Sequence, residues 1–500
     1  MRSCCVHLER PRRQPYLRDS NFPLQNPGVE IGVDGGGAPQ LLREGRTVYR
    51  RRENATEETQ QRTATPTMTM TTPLDEWTAD SWRSKPVAQD TEYPDPAALE
   101  AVCATLRSLP PLVSPARIEQ LRLELAQAAA GRAFVMQGGD CAESFDDVRA
   151  EPIAAKRGLL GRQAAALAAA LGQPVVQIAR IAGQYAKPRS KPMEQLADGS
   201  VVHAFKGDNV NGRGATAAER TPDPHRLLLG HHLAATTLTF LRILDPAPVY
   251  TSHEALHLPL ESALTHGRYN TSAAFVWVGE RTRQLDGAHV EYVRGLRNPV
   301  GIKLGPTTDP HDLARLLALV NPTRAPGRVV LITRLGADHA EQHLPKLVAA
   351  VRQAGQLPVW MCDPCHANTF VDRQTGVKTR LVEHVAAEAV RTADVLRACG
   401  AHLAGLHLEQ TGEPDVTECV DREHALVNPN TAPLFPRYRS LCDPRLAPDQ
   451  AMRVVHAVAH VLRSHHHQPD DDLHLSLPGT AHSPPRHLTD SLMPAPQQVQ

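Results

Sequence analysis

Eight short apolar runs, each closing on an ionisable residue, constrain this chain more than any other feature. They are AFVM (133–136), VVQIA (175–179), PVYTS (248–252), FVWVG (275–279), VGIKL (300–304), VVLIT (329–333), LPVWM (357–361) and LAGLHL (403–408). A strand buried on both faces reads as a continuous apolar run, not as an alternation. Helical periodicity separates most of the runs. Leu344, Leu347, Val348 and Val351 share one helical face that stops near Gly355, and a second helix spans 380–399 before Gly400. Strands alternating with helices predict an α/β fold whose parallel sheet closes into a (β/α)8 TIM barrel. An open doubly wound sheet is the alternative. No GxGxxG or GxxxxGK[ST] motif follows any run, which argues against a dinucleotide or P-loop protein.

In such a barrel the C-terminal ends of the strands form the rim that carries the active site. The first run leads to Cys141, the second to Arg180, the third to His253 and Glu254, and the fourth to Glu280 and Arg281. The fifth holds Lys303 near its end, the sixth stops at Arg334, the seventh gives Asp363 and His366, and the eighth gives Glu409. One polar residue after a strand is ordinary; eight on one rim make a site. Arg180, Arg281, Lys303 and Arg334 come from four strands and together surround a small polyanion. Arg offers bidentate contacts to carboxylate or phosphate, and Lys a compact charge. For each singly, a structural ion pair with Glu254 or Glu280 is the alternative. Cys141, His366 and Glu409 with a later carboxylate offer thiolate, imidazole and carboxylate donors, suited to Mn, Co, Fe or Zn and not to Mg or Ca. Spacing alone does not join them. CDPCH (362–366) also fits a haem-attachment pattern and a CxxC redox pair, the former requiring an export that nothing here indicates.

Lys plus Arg number 54 and Asp plus Glu number 54, so the formal charge is zero. There is no general pull toward nucleic acid or an anionic membrane, and an anionic ligand must meet locally clustered cations. No window approaches about 18 uninterrupted apolar residues. The N-terminus lacks an apolar signal region, and Glu9, Asp19, Glu30, Asp34 and Glu44 interrupt its Arg-rich start, unlike an acid-poor transit peptide. Nine cysteines without an export signal point to a reducing, cytoplasmic setting and away from a disulfide framework.

Residues 1–73, rich in Arg, Gly, Pro and Thr, read as a disordered extension. Met68 and Met70 in TPTMTMTTPLDEW look like a natural start, so the segment before them is expected to be an over-extended reading or dispensable. Residues 74–130 read as a helical segment packing on the barrel, with Ile118, Leu121 and Leu125 on one face. Residues 131–466 read as the barrel and 467–500 as a disordered tail. His465, His466 and His467 read as a solvated basic run.

Longer motifs sit on this frame. QGGDCAESF (137–145), ARIAGQYAKPRS (179–190), KGDNVNG (206–212), TSHEAL (251–256), WVGERTRQLDGAHV (277–290), NPVGIKLGP (298–306), CDPCHANT (362–369), GVKTR (376–380) and CDPRL (442–446) resemble type II 3-deoxy-D-arabino-heptulosonate 7-phosphate (DAHP) synthases. The resemblance runs from about Trp82 to Arg463. It implies metal ligands Cys141, His366, Glu409 and Asp443, binding Mn or Co, with Zn or Fe as further options. It implies that Arg281, Lys303 and Arg334 hold phosphoenolpyruvate, with Arg180, Trp277 and Glu280 around it. Erythrose 4-phosphate would meet Lys187, Arg189 and Ser190, with Lys378 and Arg380 as further candidates. Glu254, Lys187 and Lys303 are the implied catalytic groups, with Glu254 approaching the reacting carbons. A homo-oligomer is implied, and chorismate mutase is a candidate partner.

This chain departs from the family pattern in two places. Only 38 residues (213–250) separate KGDNVNG from TSHEAL, where longer members carry helices involved in aromatic feedback. Weak or absent inhibition by Phe, Tyr and Trp is therefore expected. CDPC stands where CDPM is more usual. Cys442, next to Asp443, is expected close to Cys141, where oxidation could join them and remove a ligand. The rival readings are a synthase for an aminated four-carbon sugar phosphate, a catalytically inactive binding paralogue, and a redox or haem protein built on CDPCH.

Overall fold

Two dipeptides start the first helices. Asp95 and Ser114 accept the backbone N–H of Ala98 and Arg117, and the prolines that follow occupy the first helical position, where no N–H is needed. The helices so begun are α1 (Pro96–Ser108) and α2 (Pro115–Ala129). Ile118, Leu121 and Leu125 of α2 are fully buried, as their spacing predicts. The computed structural model describes residues 76–196, 198–244, 249–421 and 435–467. The extension expected over 1–73 lies outside them, as does the expected tail (467–500) except for its first residue, His467, which closes the last helix.

All eight apolar runs become strands, two with the same bounds and the others shifted by up to three residues: β1 (Phe134–Gly139), β2 (Val175–Arg180), β3 (Tyr250–Glu254), β4 (Phe275–Val278), β5 (Val300–Leu304), β6 (Val329–Thr333), β7 (Val359–Cys362) and β8 (Gly405–Glu409). Each pairs in parallel with its sequence neighbours, and β1 pairs with β8, so the sheet is a closed barrel and not an open one. Around it run α3 (Ala150–Leu171), α4 (His225–Leu244), α5 (Ala288–Gly295), α6 (Pro310–Val320), α7 (Ala340–Gln353), α8 (Val382–Ala398) and α9 (Pro448–His467). A short helix, Leu258–Ala263, follows β3. α2 packs on β1 and β7, while α9 fits between α8 and α3 and completes the outer layer. Three antiparallel hairpins that periodicity did not show are also present: Met193–Gln195 with Val201–His203 after β2, Thr265–His266 with Tyr269–Asn270 after β3, and Thr369–Val371 with Lys378–Arg380 after β7.

By length and composition, α4 is the one helix among the described residues that is apolar enough to cross a membrane. It packs on α1 and α3, with Leu227, Ala234 and Leu241 buried. The N-terminal segment leans on α5. Trp77 Nε1 donates to Glu291 O at 3.0 Å, and a Cβ on Gly295 would lie 2.0 Å from the Trp77 ring.

His257, just past β3, is buried with Nε2 2.9 Å from the Tyr93 hydroxyl, and burial lowers its pKa to about 4. The folded protein keeps this imidazole neutral while the unfolded chain protonates it near its ordinary value. Between pH 6.5 and 4 the unfolded state therefore binds the extra proton, and stability is lost as pH falls. Replacing His257 with Gln is expected to make that fall shallower by up to about 1.4 kcal/mol per pH unit. Urea unfolding at pH 7, 6 and 5 measures it; identical pH dependence in both proteins would contradict the assignment.

Candidate active site

The register of the barrel brings the first functional group into place. Gly139 at the end of β1 aligns with Arg180 of β2 on one side and Glu409 of β8 on the other. Its φ is +149°, and a Cβ there would lie 2.6 Å from Arg180 O, so glycine is required where the chain turns toward Cys141. Cys141 is fully buried. Its sulfur, a Glu409 oxygen and an Asp443 oxygen all lie within 4.8 Å of one another. His366 adjoins them with Nε2 3.1 Å from Glu409 Oε1, and its Nδ1 is 2.7 Å from Asp363 Oδ2. A carboxylate on one ring nitrogen fixes the tautomer and leaves the other free to ligate. Asp443 N donates to Cys141 Sγ at 3.2 Å. Three of the four residues implied as metal ligands thus converge, with His366 against Glu409 at their edge, and sulfur, nitrogen and oxygen donors of this kind fit a borderline divalent ion.

Lys187 reaches into this group, with Nζ 2.7 Å from Cys141 Sγ and 3.2 Å from both Glu409 Oε1 and Asp443 Oδ2. Burial opposes its charge, but those three neighbours outweigh it and raise its pKa. Burial likewise pushes Glu409 upward, yet His366, Lys187 and Arg380 hold its carboxyl well below the usual range. Asp443 is held far down despite burial, chiefly by Lys187. Burial pushes the Cys141 thiol up, with the Cys442 thiol and Glu409 adding to it. Cys442 does lie against Cys141, and Arg189 Nη1 is 3.9 Å from its sulfur.

Beside the cluster opens a cavity of about 790 Å³ lined by Lys187, Arg189, Ser190, Glu254, Glu280, Arg281, Lys303, Arg334, His366, Lys378 and Asp443 among others. Lys303 makes a close ion pair with Asp363, and burial lowers its pKa. Arg334 Nη1 lies 2.6 Å from Glu280 Oε2, the bland pairing that the sequence left open, while Nη2 points to His366 O at 3.4 Å. Arg281 Nη2 donates to Ser190 Oγ at 3.3 Å, and Lys378 contacts Asp443. Among the described residues no cation pairs directly with Glu254. A Cβ on Gly279 would lie 2.2 Å from its Oε1, so that glycine makes its room, and burial raises its pKa.

Three expected contacts sit below the cavity and not in its wall. Arg180 is buried with Nε 2.9 Å from Asp140 O, Nη1 2.5 Å from His407 Nε2 and Nη2 3.1 Å from Glu409 Oε1. Its guanidinium lies 5.0 Å from the centre of the Trp277 ring. Arg380, expected near the sugar phosphate, is corrected to an internal anchor. Its side chain is fully buried with Nη2 2.7 Å from Glu409 Oε2 and Nε 2.7 Å from Cys365 O, so it orients a carboxylate. The CDPCH alternatives also fall. Cys362 donates to Thr392 Oγ1 at 3.5 Å, while Cys365 accepts the Glu409 N–H at 3.4 Å. Both are buried, and burial pushes Cys365 up to about 12. His465, read as solvated, instead pairs with Asp394 at 2.8 Å.

Sequence reasoning assigned no role to Asp363, Asp140, Arg445 or Glu418. Asp140 follows β1 and lies 2.6 Å from Arg445 Nη1, while Arg445 forks onto Glu418 at 3.0 and 2.7 Å. This buried network holds Asp443 beside Cys141. Only the Asp363–His366 spacing offered a readable signal, a carboxylate three residues before the histidine implied as a ligand.

A model of the class-II DAHP synthetase family matches residues 77–248 and 243–459. A Streptomyces coelicolor protein named phospho-2-dehydro-3-deoxyheptonate aldolase is 40% identical over 442 residues, covering 77% of this chain and 97% of that one. A Neurospora crassa protein of the same name is 38% identical over 458 residues, covering 77% and 94%. The Mycolicibacterium smegmatis aldolase AroG is 35% identical over 447 residues, again covering 77% and 94%. Agreement of this extent, reaching both ends of the barrel, establishes that the chain belongs to the class-II DAHP synthetase family.

Proposed function

We propose that this chain condenses phosphoenolpyruvate with D-erythrose 4-phosphate and water to give DAHP and phosphate, the entry step of the shikimate pathway. The observation that carries this reading is the junction on one rim of a Cys–Glu–Asp donor set, with His366 beside it, and a cation-lined cavity, in a chain of this family. Cys141, His366, Glu409 and Asp443 would hold the divalent ion, Mn or Co by our reading. When bound, the ion supplies Lewis acidity to the aldehyde oxygen.

The residues of the chain do the rest. Arg281, Lys303 and Arg334 hold the carboxylate and phosphate of phosphoenolpyruvate, with Glu280 fixing Arg334. Arg189, Ser190 and Lys378 receive the sugar phosphate at the outer end of the cavity. Held this way, C3 of the enolpyruvate faces the aldehyde carbon, and orientation supplies much of the rate. As the C–C bond forms, positive character appears at C2. Lys187, kept as an ammonium by its anionic neighbours, is the donor we assign to the oxygen that becomes the new hydroxyl. Glu254 takes a proton from the water adding at C2, and its raised pKa suits a group that carries one. Phosphate then leaves with C–O cleavage. Arg180 and Trp277 form the floor and act by fixing Glu409 and the backbone at Cys141.

We assign the catalytic unit to 131–466 with 74–130 packed on it, working in the cytoplasm as a homo-oligomer, with chorismate mutase as a candidate partner. The test is purified protein with both substrates and Mn²⁺ or Co²⁺, following loss of enolpyruvate absorbance with and without chelator. Consumption that needs the aldehyde and stops on chelation is expected. A folded, metal-loaded protein that consumes nothing would overturn the reading.

A further inference from the structure

α8 presents Glu388 to the underside of two rim loops. The side chain is 0% exposed and lines no part of the cavity. Its Oε1 accepts the Leu335 N–H at 2.7 Å, with the Gly336 N–H directed at the same carboxylate. Its Oε2 accepts Asn368 Nδ2 at 2.7 Å. Leu335 and Gly336 follow Arg334 directly, and the left-handed φ of +90° at Gly336 turns the chain there. Asn368 lies two residues beyond His366. Its Nδ2 also donates to Pro364 O at 2.8 Å, and its Oδ1 accepts the Ala337 N–H at 3.4 Å. One turn along α8, Arg391 contacts Ala337 O and Thr392 takes the Cys362 thiol at 3.5 Å.

Every hydrogen-bond partner of Glu388 is a donor. Only a group with acceptors on both arms satisfies the two loops together, and a carboxylate is that group. Burying one is costly where an apolar side chain would pack, and here burial pushes the pKa up to about 7 against the N–H donors. A cost of that kind is met by what the group fixes, which is the distance between the loop of Arg334 and the loop of His366.

We propose that Glu388 is a positioning residue that sets the spacing between the phosphoenolpyruvate cations and the metal ligands, by holding one loop on each carboxylate oxygen. The proposal rests on the assignment of Arg334 and His366 made above. Glu388→Gln keeps the shape but turns one acceptor into a donor, so it can hold only one loop. Two binding measurements read the effect without catalysis. One is titration of phosphoenolpyruvate into the metal-free protein, followed by isothermal calorimetry; the other is Mn²⁺ affinity by chelator competition. Both dissociation constants are expected to rise about tenfold in Glu388→Gln, the range that outer partners of metal ligands command. Asn368→Ala keeps the Leu335 N–H on Glu388 and gives up only the long Ala337 contact on the Arg334 side, so it should weaken Mn²⁺ binding about tenfold and phosphoenolpyruvate binding clearly less. A Glu388→Gln protein that melts earlier but keeps both constants would overturn the proposal. Should that variant fail to fold, unchanged Mn²⁺ affinity in Asn368→Ala would overturn it equally. Wild-type protein that binds both ligands yet consumes no phosphoenolpyruvate with the aldehyde would sink the function reading and leave this one standing.

Discussion

Replacing Glu409 with Gln is expected to cut turnover at least a thousandfold and to lower the melting temperature at the same time. The reason is the company this carboxylate keeps. Arg180, Lys187, Arg380 and His366 all lie within 3.2 Å of one of its oxygens. Arg180 and Arg380 are buried and have no other carboxylate among the described residues. Removing one partner of a buried ion pair costs about 3–5 kcal/mol, because the remaining charge is stranded. The same change deletes a proposed metal ligand, so loss of activity and loss of bound Mn²⁺ should coincide. Thermal unfolding, metal content after gel filtration and the absorbance assay check the three effects. Retention of stoichiometric metal would remove Glu409 from the ligand set, even if stability fell.

Replacing Asp363 with Asn should have the next largest effect, roughly a hundredfold to a thousandfold in kcat/KM with the fold retained. Asp363 contacts Lys303 with the same oxygen that meets His366 Nδ1, and its other oxygen accepts the Cys365 N–H at 3.1 Å. Burial pushes this carboxyl upward, but His366 and Lys303 hold it well below its ordinary range. One ionised group thus serves the proposed phosphoenolpyruvate contact and the proposed metal ligand together. An amide has no charge for Lys303 and can turn its NH2 toward His366, which favours the wrong tautomer. Losing such an outer partner typically costs 10–100-fold in metal affinity, and the freed lysine adds to that in substrate binding. Metal titration and steady-state kinetics with varied phosphoenolpyruvate separate the two; unchanged values in both would show that Asp363 only packs.

These two residues also mark where sequence reading stopped. The strands were legible because a strand covered on both faces leaves an unbroken apolar run, and the rim was legible because a barrel puts strand ends on one side. Cys141, Glu409 and the cation-bearing positions followed from that. Asp363 was visible as a strand-end residue, but its double engagement depends on how β5 and β7 stand across β6, which no spacing reports. Asp443 follows no strand and precedes α9, so only the family motif pointed to it. It reaches the site through the Asp140–Arg445–Glu418 network. Arg380 failed in the opposite direction: a basic residue in a loop motif reads as a ligand contact, while the hairpin carries it inward beneath Glu409. Polar groups buried for positioning, Glu388 among them, look like surface residues in a sequence because their donors come from other elements.

Closure of the barrel by its first and last strands has a consequence for the order of events during synthesis. Cys141 and Asp443, joined by a hydrogen bond, are separated by 302 positions. At about 5–20 residues per second, a ribosome needs roughly 15–60 s to travel between them. Until Glu409 completes β8 the emerging chain has a thiol and, late on, an imidazole, but no β1–β8 seam to bring them together, and Asp443 follows later still. The proposed metal site is therefore completed only near the end of synthesis, and a chain truncated before Asp443 is expected to leave the ribosome without it.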